Sequence, residues 1–326
     1  MKLATFETPG GEKKLGVVFP ERGRILDVAE AQAALAGGSG GFSSMLALIE
    51  AGADGLARVK ALLSRGEALN PFLLDLATVG ILAPIPTPPQ IRDCSVFAQH
   101  VRQGGAGMAR LKAKLAGQPA PVATGGEIPD IYRKQPIYYI SNRFSVVGPD
   151  AVVTWPRYSS VMDFELEIAI VIGKSGKNIP LGRAREHIFG YTLFNDFSAR
   201  DAQSREMEGW LGPTKGKSFD SGNGLGPWIV TPDELGDPTR LSVSVRVNGE
   251  PWAANTTAEM LHSFEAIIAF ISRDETLHAG EIIASGTVGG CCGLEMDRFL
   301  NSGDVIEIEA DRIGVLRNKV IAQDAK

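Results

Sequence analysis

"DFELEIAIVIG", Asp163 to Gly173, holds two patterns at once. Its second half, Ile168 to Ile172, is a near-continuous apolar run of the kind a buried strand uses. Its first half sets Asp163, Glu165 and Glu167 at alternate positions. Side chains alternate along a strand, so this spacing predicts three carboxylates on one face and Phe164 and Leu166 on the other. Solvent screens such a row on an exposed edge. On a strand that runs into a core, a hard divalent cation with oxygen ligands is the other way to neutralise it.

The rest of the chain suits a strand-rich protein around that segment. It has 326 residues, 44% of them hydrophobic, enough for one large domain or a large and a small one. Its 38 glycines fall between short apolar runs and favour strands and turns over a helical bundle. The net charge of −5 is spread over mixed signs, and no basic block points to nucleic acid or a membrane surface. No apolar stretch approaches the roughly 20 residues of a spanning helix. The N-terminus, MKLATFETPGGEKKLG, lacks an apolar signal-peptide core, so a cytoplasmic location is expected. Cys94, Cys291 and Cys292 offer no CxxC zinc framework and are read as small, reduced, buried residues.

Short strands are expected from Met1 to Val28, then helices over Ala29–Ala36 and Ser43–Arg65. Pro84, Pro86, Pro88 and Pro89 mark a connector, and a boundary is placed there: a small N-terminal module over 1–85 and a large domain over 86–326. A helix over Ser95–Leu115 is predicted to break at the glycines of "GGAG", Gly104–Gly107. Strands are expected at Ile137–Ile140, Leu166–Ile172, Ile188–Asn195, Pro227–Val230, Leu241–Val247, Ile282–Ala284 and Asp304–Ala310, with a hairpin turn at Asn248–Gly249 and a helix over Met260–Ser272. The pieces "GSGGF", "SGNGLG" and "GPTKGKS" lack the glycine spacing of a nucleotide loop. His187, His262 and His278 lack partners at ligand spacing, and Trp210 is expected to pack a loop.

Further polar residues extend the opening pattern. "YTLFNDFSARDAQ" places Asp196 after an apolar strand, as a turn residue, a helix cap or a ligand. Arg200 and Gln203 follow at helical spacing. "IRDCSVFAQHV" places Asp93 seven residues before His100, and a histidine there also suits a structural role.

On these segments the chain resembles the fumarylacetoacetate hydrolase family. The resemblance runs through "DFELEIAIVIGK", "GYTLFNDFSARDAQ", "LGPTKGKSFDSGNGLGPWIVTPDEL", "GEIIASGTVGG" and "LNSGDVIEIEADRIGVLRNKV", over roughly residues 85–320. It implies a mainly β (α+β) fold, a mixed β-roll catalytic domain behind a small N-terminal domain, and a homodimer. It implies a cation (Mg²⁺, Ca²⁺ or Mn²⁺) held by Asp93, Glu165, Glu167 and Asp196, with Asp163 a neighbour. The catalytic histidine falls on His100 and its partner on Glu295 of "CGLEMDRFL"; the shorter branch of the family has a glutamate where this chain has Gln103. Lys217, rather than Lys215, matches the active-site lysine. Arg200, Gln203, Tyr139 and Thr287 match residues that meet substrate.

The implied reaction is hydrolytic cleavage of a C–C bond in a 1,3-dicarbonyl acid, an acylpyruvate or a fumarylacetoacetate-like compound of aromatic catabolism. His100, oriented by Glu295, activates water, while Lys217, Arg200 and Gln203 stabilise the oxyanion. The alternative is oxaloacetate decarboxylation, tautomerisation or 2-oxo-alkenoate hydration through the same enolate. A non-enzymatic β-rich module with structural Ca²⁺ explains the acids but not the basic residues beside them.

Overall fold

The strand Leu166–Ile172 is buried along its whole length because both of its faces are covered. In this computed structural model, which describes residues 1–36, 42–122 and 126–323, it lies inside a 12-stranded sheet. Its neighbours are Ile188–Asp196 and Ile282–Ala284, both antiparallel to it. Leu166, Ile168, Ile170 and Ile172 join the larger core, with Val243, Val245, Ile306 and Ile308 and the helix Phe264–Ile271. Ala169 and Val171 face the other way, onto Met45, Leu48 and Ile49 of the N-terminal helices. Coverage of both faces is why the sequence reads as continuous rather than alternating.

The sheet runs Leu73–Asp75, Arg24–Asp27, Lys13–Phe19, Lys2–Glu7, Asn223–Val230, Ile188–Asp196, Leu166–Ile172, Ile282–Ala284, Ile91–Cys94, Tyr138–Ser141, with Gly80–Leu82 beside Lys2–Glu7 and Val146–Val147 beside Asn223–Val230 off that path. A 5-stranded sheet packs beside it: Glu250–Thr256, Ser242–Val247, Val305–Ala310, Gly314–Ala322, Val152–Trp155. The fold is thus the expected mixed, sheet-rich α+β architecture. The proline connector lies between the strands Gly80–Leu82 and Ile91–Cys94. The sheet itself spans both sides of that connector, through Lys2 opposite Val230 and Leu3 opposite Ile229.

Most predicted elements are present, some with shifted ends: the strand expected at Pro227–Val230 starts at Asn223, the helix expected over Met260–Ser272 spans Phe264–Ile271, and the one expected from Ser95 starts at Ala98. The Ser43–Arg65 helix is two helices, Met45–Glu50 and Gly52–Leu63, divided where Gly52 takes a left-handed φ of 58°. The predicted break at "GGAG" is absent: Ala98–Leu115 is one helix. The stretch from Gln103 to Leu115 is therefore helical, and Ala123–Gly125 lie outside the described residues, as do Gly38–Gly41 of "GSGGF". Gly314–Ala322 was not anticipated as a strand, because its inward face carries Asn318 between Leu316 and Val320. The amide nitrogen of Asn318 donates to the carbonyls of Gly148 and Ala151, which satisfies that nitrogen inside the core. The Asn248–Gly249 hairpin has positive φ at both positions, as its turn requires. No helix among the described residues is long and apolar enough to cross a membrane.

Candidate active site

The alternating acids do not share one face as predicted. Asp163 ends a separate two-residue strand, Met162–Asp163, paired with Ser198–Ala199. Its carboxylate is fully buried and accepts four hydrogen bonds. Oδ1 takes the backbone N–H of Phe164 at 2.8 Å and of Gly293 at 2.7 Å. Oδ2 takes the N–H of Leu294 at 2.8 Å and Arg200 Nε at 2.7 Å. One residue thus fixes both the turn Gly293–Met296 and the Arg200 side chain.

Glu167 stays in the strand and meets acids from two other strands. Asp93 comes from Ile91–Cys94, and Asp196 is the last residue of Ile188–Asp196 rather than part of the helix Arg200–Glu206. The intervening strand Ile282–Ala284 stops short, and Glu167 Oε2 accepts the Gly286 N–H at 2.9 Å. One oxygen from each of Asp93, Glu167 and Asp196 lies within 4.8 Å of the others, all three residues buried. Oδ1 of Asp93 and Oδ1 of Asp196 are buried with no protein partner. Burial, then mutual repulsion, pushes the Glu167 carboxyl well up; burial does the same to Asp196, and raises Asp93.

Glu165 is placed differently. Its oxygens accept from Arg200 Nη2 at 2.6 Å and Lys217 Nζ at 2.5 Å. Burial works against its charge, but Arg200, Lys217 and His100 outweigh it and hold the carboxyl below the usual range. Lys217 also donates to Asp196, and Tyr139 donates its hydroxyl to Asp196 Oδ2 at 2.7 Å. Arg200 Nη1 donates to Gln203 Oε1 at 2.9 Å, leaving the Gln203 amide nitrogen free to turn outward.

His100 and Glu295 meet across a helix–turn contact. His100 Nδ1 is 3.5 Å from Glu295 Oε1, and Nε2 is 3.9 Å from Glu165 Oε1. Burial opposes a charged imidazole, but Glu295 and Glu165 together move it upward. The approach depends on Gly107, one of the glycines expected to break the helix. A Cβ there would sit 2.2 Å from the Leu294 carbonyl oxygen. Cys292 lies in the same contact: its thiol donates to Glu295 Oε2 at 3.3 Å and is 4.0 Å from His100 Nδ1.

The acids Asp93, Glu165, Glu167 and Asp196, the cations Arg200 and Lys217, and His100 line one cavity of about 580 Å³. Thr287 Oγ1 is buried on its wall without a partner. Trp210, expected to pack, is instead 94% exposed at the rim. His187 and His262 are also bound, through ring contacts of 2.7 Å to the carbonyls of Lys174 and Tyr132. Sequence reasoning set Asp163 aside and treated Cys292 as core. The alternation grouped Asp163 with the other acids and the resemblance made it a neighbour, neither of which points to its anchoring bonds, and nothing local marked Cys292.

The sequence pattern of the fumarylacetoacetate (FAA) hydrolase C-terminal family matches residues 95–321. The chain is 35% identical to the oxaloacetate tautomerase YisK of Bacillus subtilis (strain 168) over 256 residues, 78% of this chain and 77% of that protein. It is 31% identical to the mitochondrial oxaloacetate tautomerase fahd2 of Xenopus laevis over 325 residues, 98% of this chain and 90% of that one. A solved fumarylacetoacetate hydrolase from the psychrophilic Exiguobacterium antarcticum covers 99% of this chain and 100% of its own, with a TM-score of 0.71 at 29% identity. With its fold, its cavity and its sequence in agreement, the chain belongs to the fumarylacetoacetate hydrolase family.

Proposed function

We propose that the protein is a divalent-cation-dependent enzyme that interconverts the keto and enol forms of a short 2-oxo dicarboxylate such as oxaloacetate. The observation that carries this reading is the juxtaposition, in one cavity, of a buried three-carboxylate cluster and His100, with Glu295 set against the Nδ1 side of that imidazole. The two tautomerase relatives support the choice of substrate. The cluster suits Mg²⁺, Mn²⁺ or Ca²⁺. Its donors are all oxygens, and Asp93 Oδ1 and Asp196 Oδ1 have no other partner. Among the described cavity-lining residues, four acids (Asp93, Glu165, Glu167, Asp196) face two bases (Arg200, Lys217), an excess of two negative charges that a dication balances. Asp93, Glu167 and Asp196 would hold the ion, and Glu165 would link it to Arg200 and Lys217. Bound there, the ion supplies Lewis-acid stabilisation to a substrate oxygen.

The chain's own residues move the proton. Glu295 faces Nδ1 of His100 and fixes the tautomer, so Nε2 presents its lone pair. Nε2 takes the proton from the carbon between the ketone and the distal carboxylate, then returns it to the enolate oxygen. The reverse path ketonises the enol, and no atom is gained or lost. Thr287 Oγ1 and the Gln203 amide are free to donate to the substrate's oxygens. Arg200 and Lys217, held by acids, keep positive charge beside the developing enolate.

A second reading is hydrolysis of an acylpyruvate or a fumarylacetoacetate-like diketo acid, with the same pair acting on water. The cavity volume of about 580 Å³ favours it, since this is more room than a four-carbon diacid fills. Either reading takes the chain as a cytoplasmic homodimer, and sedimentation tests the dimer. The deciding experiment compares enol-oxaloacetate ketonisation with diketo-acid cleavage under Mg²⁺ or Mn²⁺. Accelerated ketonisation without cleavage supports the tautomerase. Metal-dependent release of two acids, with ketonisation at the uncatalysed rate, selects the hydrolase. Carbon dioxide release from oxaloacetate makes the protein a decarboxylase.

A further inference from the structure

We infer that His100, Cys292 and Glu295 form a second cation site, for a thiolate-seeking divalent ion of the zinc class, chemically distinct from the carboxylate cluster. One ligand atom from each of the three lies within 4.8 Å of the others. The separations are 4.0 Å from Sγ to Nδ1, 3.3 Å from Sγ to Oε2 and 3.5 Å from Nδ1 to Oε1. Zinc bonds of about 2.3 Å to sulfur and about 2.0–2.2 Å to nitrogen and oxygen, at tetrahedral angles, require ligand-to-ligand edges of about 3.3–3.6 Å. Each contact is within roughly 0.5 Å of such an edge, but Sγ and Nδ1 meet different oxygens of Glu295, so closing the site takes either a turn of that carboxylate or both of its oxygens as ligands.

A second observation points the same way. Glu295 Oε1 is buried and makes no closed hydrogen bond, facing His100 Nδ1 at 3.5 Å, and its side chain is 1% exposed. The pairing of His100 with Glu295 needs no thiol, yet Cys292 stands against both. His100 lines the cavity, while Cys292 and Glu295 stand behind it on the Nδ1 side. Ligand type separates the two sites: sulfur and imidazole select the zinc class, whereas an all-oxygen cluster suits Mg²⁺ or Ca²⁺.

Binding replaces the Cys292 thiol proton, which leaves to solvent as the sulfur–metal bond forms; no electron is transferred. Metallation at Nδ1 requires the ring proton that faces Glu295 to move to Nε2, so the nitrogen facing the cavity loses its lone pair. The ion also takes Glu295. Occupancy of this site therefore stops turnover while Mg²⁺ stays in place. That consequence rests on reading His100 and Glu295 as the proton-transfer pair; binding itself does not.

The test titrates Co²⁺ into the Mg²⁺-saturated protein. The wild type is expected to show a thiolate-to-cobalt charge-transfer band that is lost in Cys292→Ser and kept in Cys291→Ser. Zinc should inhibit the wild type near equimolar amounts, with at least a ~100-fold weaker effect on Cys292→Ser, since even indirect support of a metal ligand is worth 10–100-fold. Zinc-edge X-ray absorption of the wild type needs no variant and should find one sulfur at about 2.3 Å. An absorption shell of nitrogen and oxygen alone, or a cobalt band unchanged in Cys292→Ser, overturns the inference. A Cys292-dependent band with turnover intact upholds the site and removes His100–Glu295 from the reaction.

Discussion

Replacing Asp163 by Asn tests whether this residue is the anchor of the site. The change keeps the size of the side chain and removes one acceptor and the charge. In the native protein the two oxygens take Phe164 N, Gly293 N, Leu294 N and Arg200 Nε, all between 2.7 and 2.8 Å. An amide can accept from one pair of these donors and must turn its own N–H groups on the other. Two buried donors lose their acceptor at about 1–3 kcal/mol each. Breaking one side of the buried pair with Arg200 gives a similar figure, about 3–5 kcal/mol. The two estimates describe the same loss and are not added, so about 3–5 kcal/mol is expected. Turnover should also fall at temperatures where the variant is folded, because the turn carrying Glu295 and the Arg200 guanidinium lose a shared support. The assay is urea denaturation of the metal-loaded protein, with turnover measured on the same samples. A stability loss under about 1 kcal/mol together with unchanged turnover would refute the anchoring role.

Gly107→Ala should overpack the contact with Leu294 and cost about 1–3 kcal/mol. Because it separates His100 from Glu295, its turnover should drop further than its melting temperature suggests, and calorimetry beside kinetics compares the two. Loading the chelator-stripped protein with Mn²⁺ at 100 times its dissociation constant should add about 2.7 kcal/mol of stability. Thermal denaturation reads this, and Glu167→Gln should abolish the gain. Ile170→Ala, in the covered strand, should cost about 2–5 kcal/mol in denaturant while metal content measured by elemental analysis stays the same.

How much of this was legible in the sequence depended on the range of the interaction. Ile168 to Ile172 announced a buried strand because burial acts on every residue of the run. Residues gathered from distant segments could be assembled only by resemblance: Asp93, Glu167 and Asp196 lie on three strands whose pairing no local pattern encodes. The alternation at Asp163 misled because the chain leaves the strand between Asp163 and Leu166, and period-two reasoning has no term for that. The glycines of "GGAG" were read through helix propensity, yet tertiary packing reversed their meaning: Gly107 is small so that the helix can approach Leu294. Cys292 carries no sequence signal, since its partners lie 192 residues before it and three after it.

The proposed division of labour between the carboxylate cluster and the histidine pair is tested most directly by measuring bound metal and turnover together in Glu167→Gln and His100→Ala. Glu167→Gln should lose both the ion and the activity, whereas His100→Ala should keep a full complement of ion and lose turnover by about 10²–10⁴-fold, the usual worth of a general base. Full turnover in His100→Ala, or undiminished metal in an active Glu167→Gln, would contradict it.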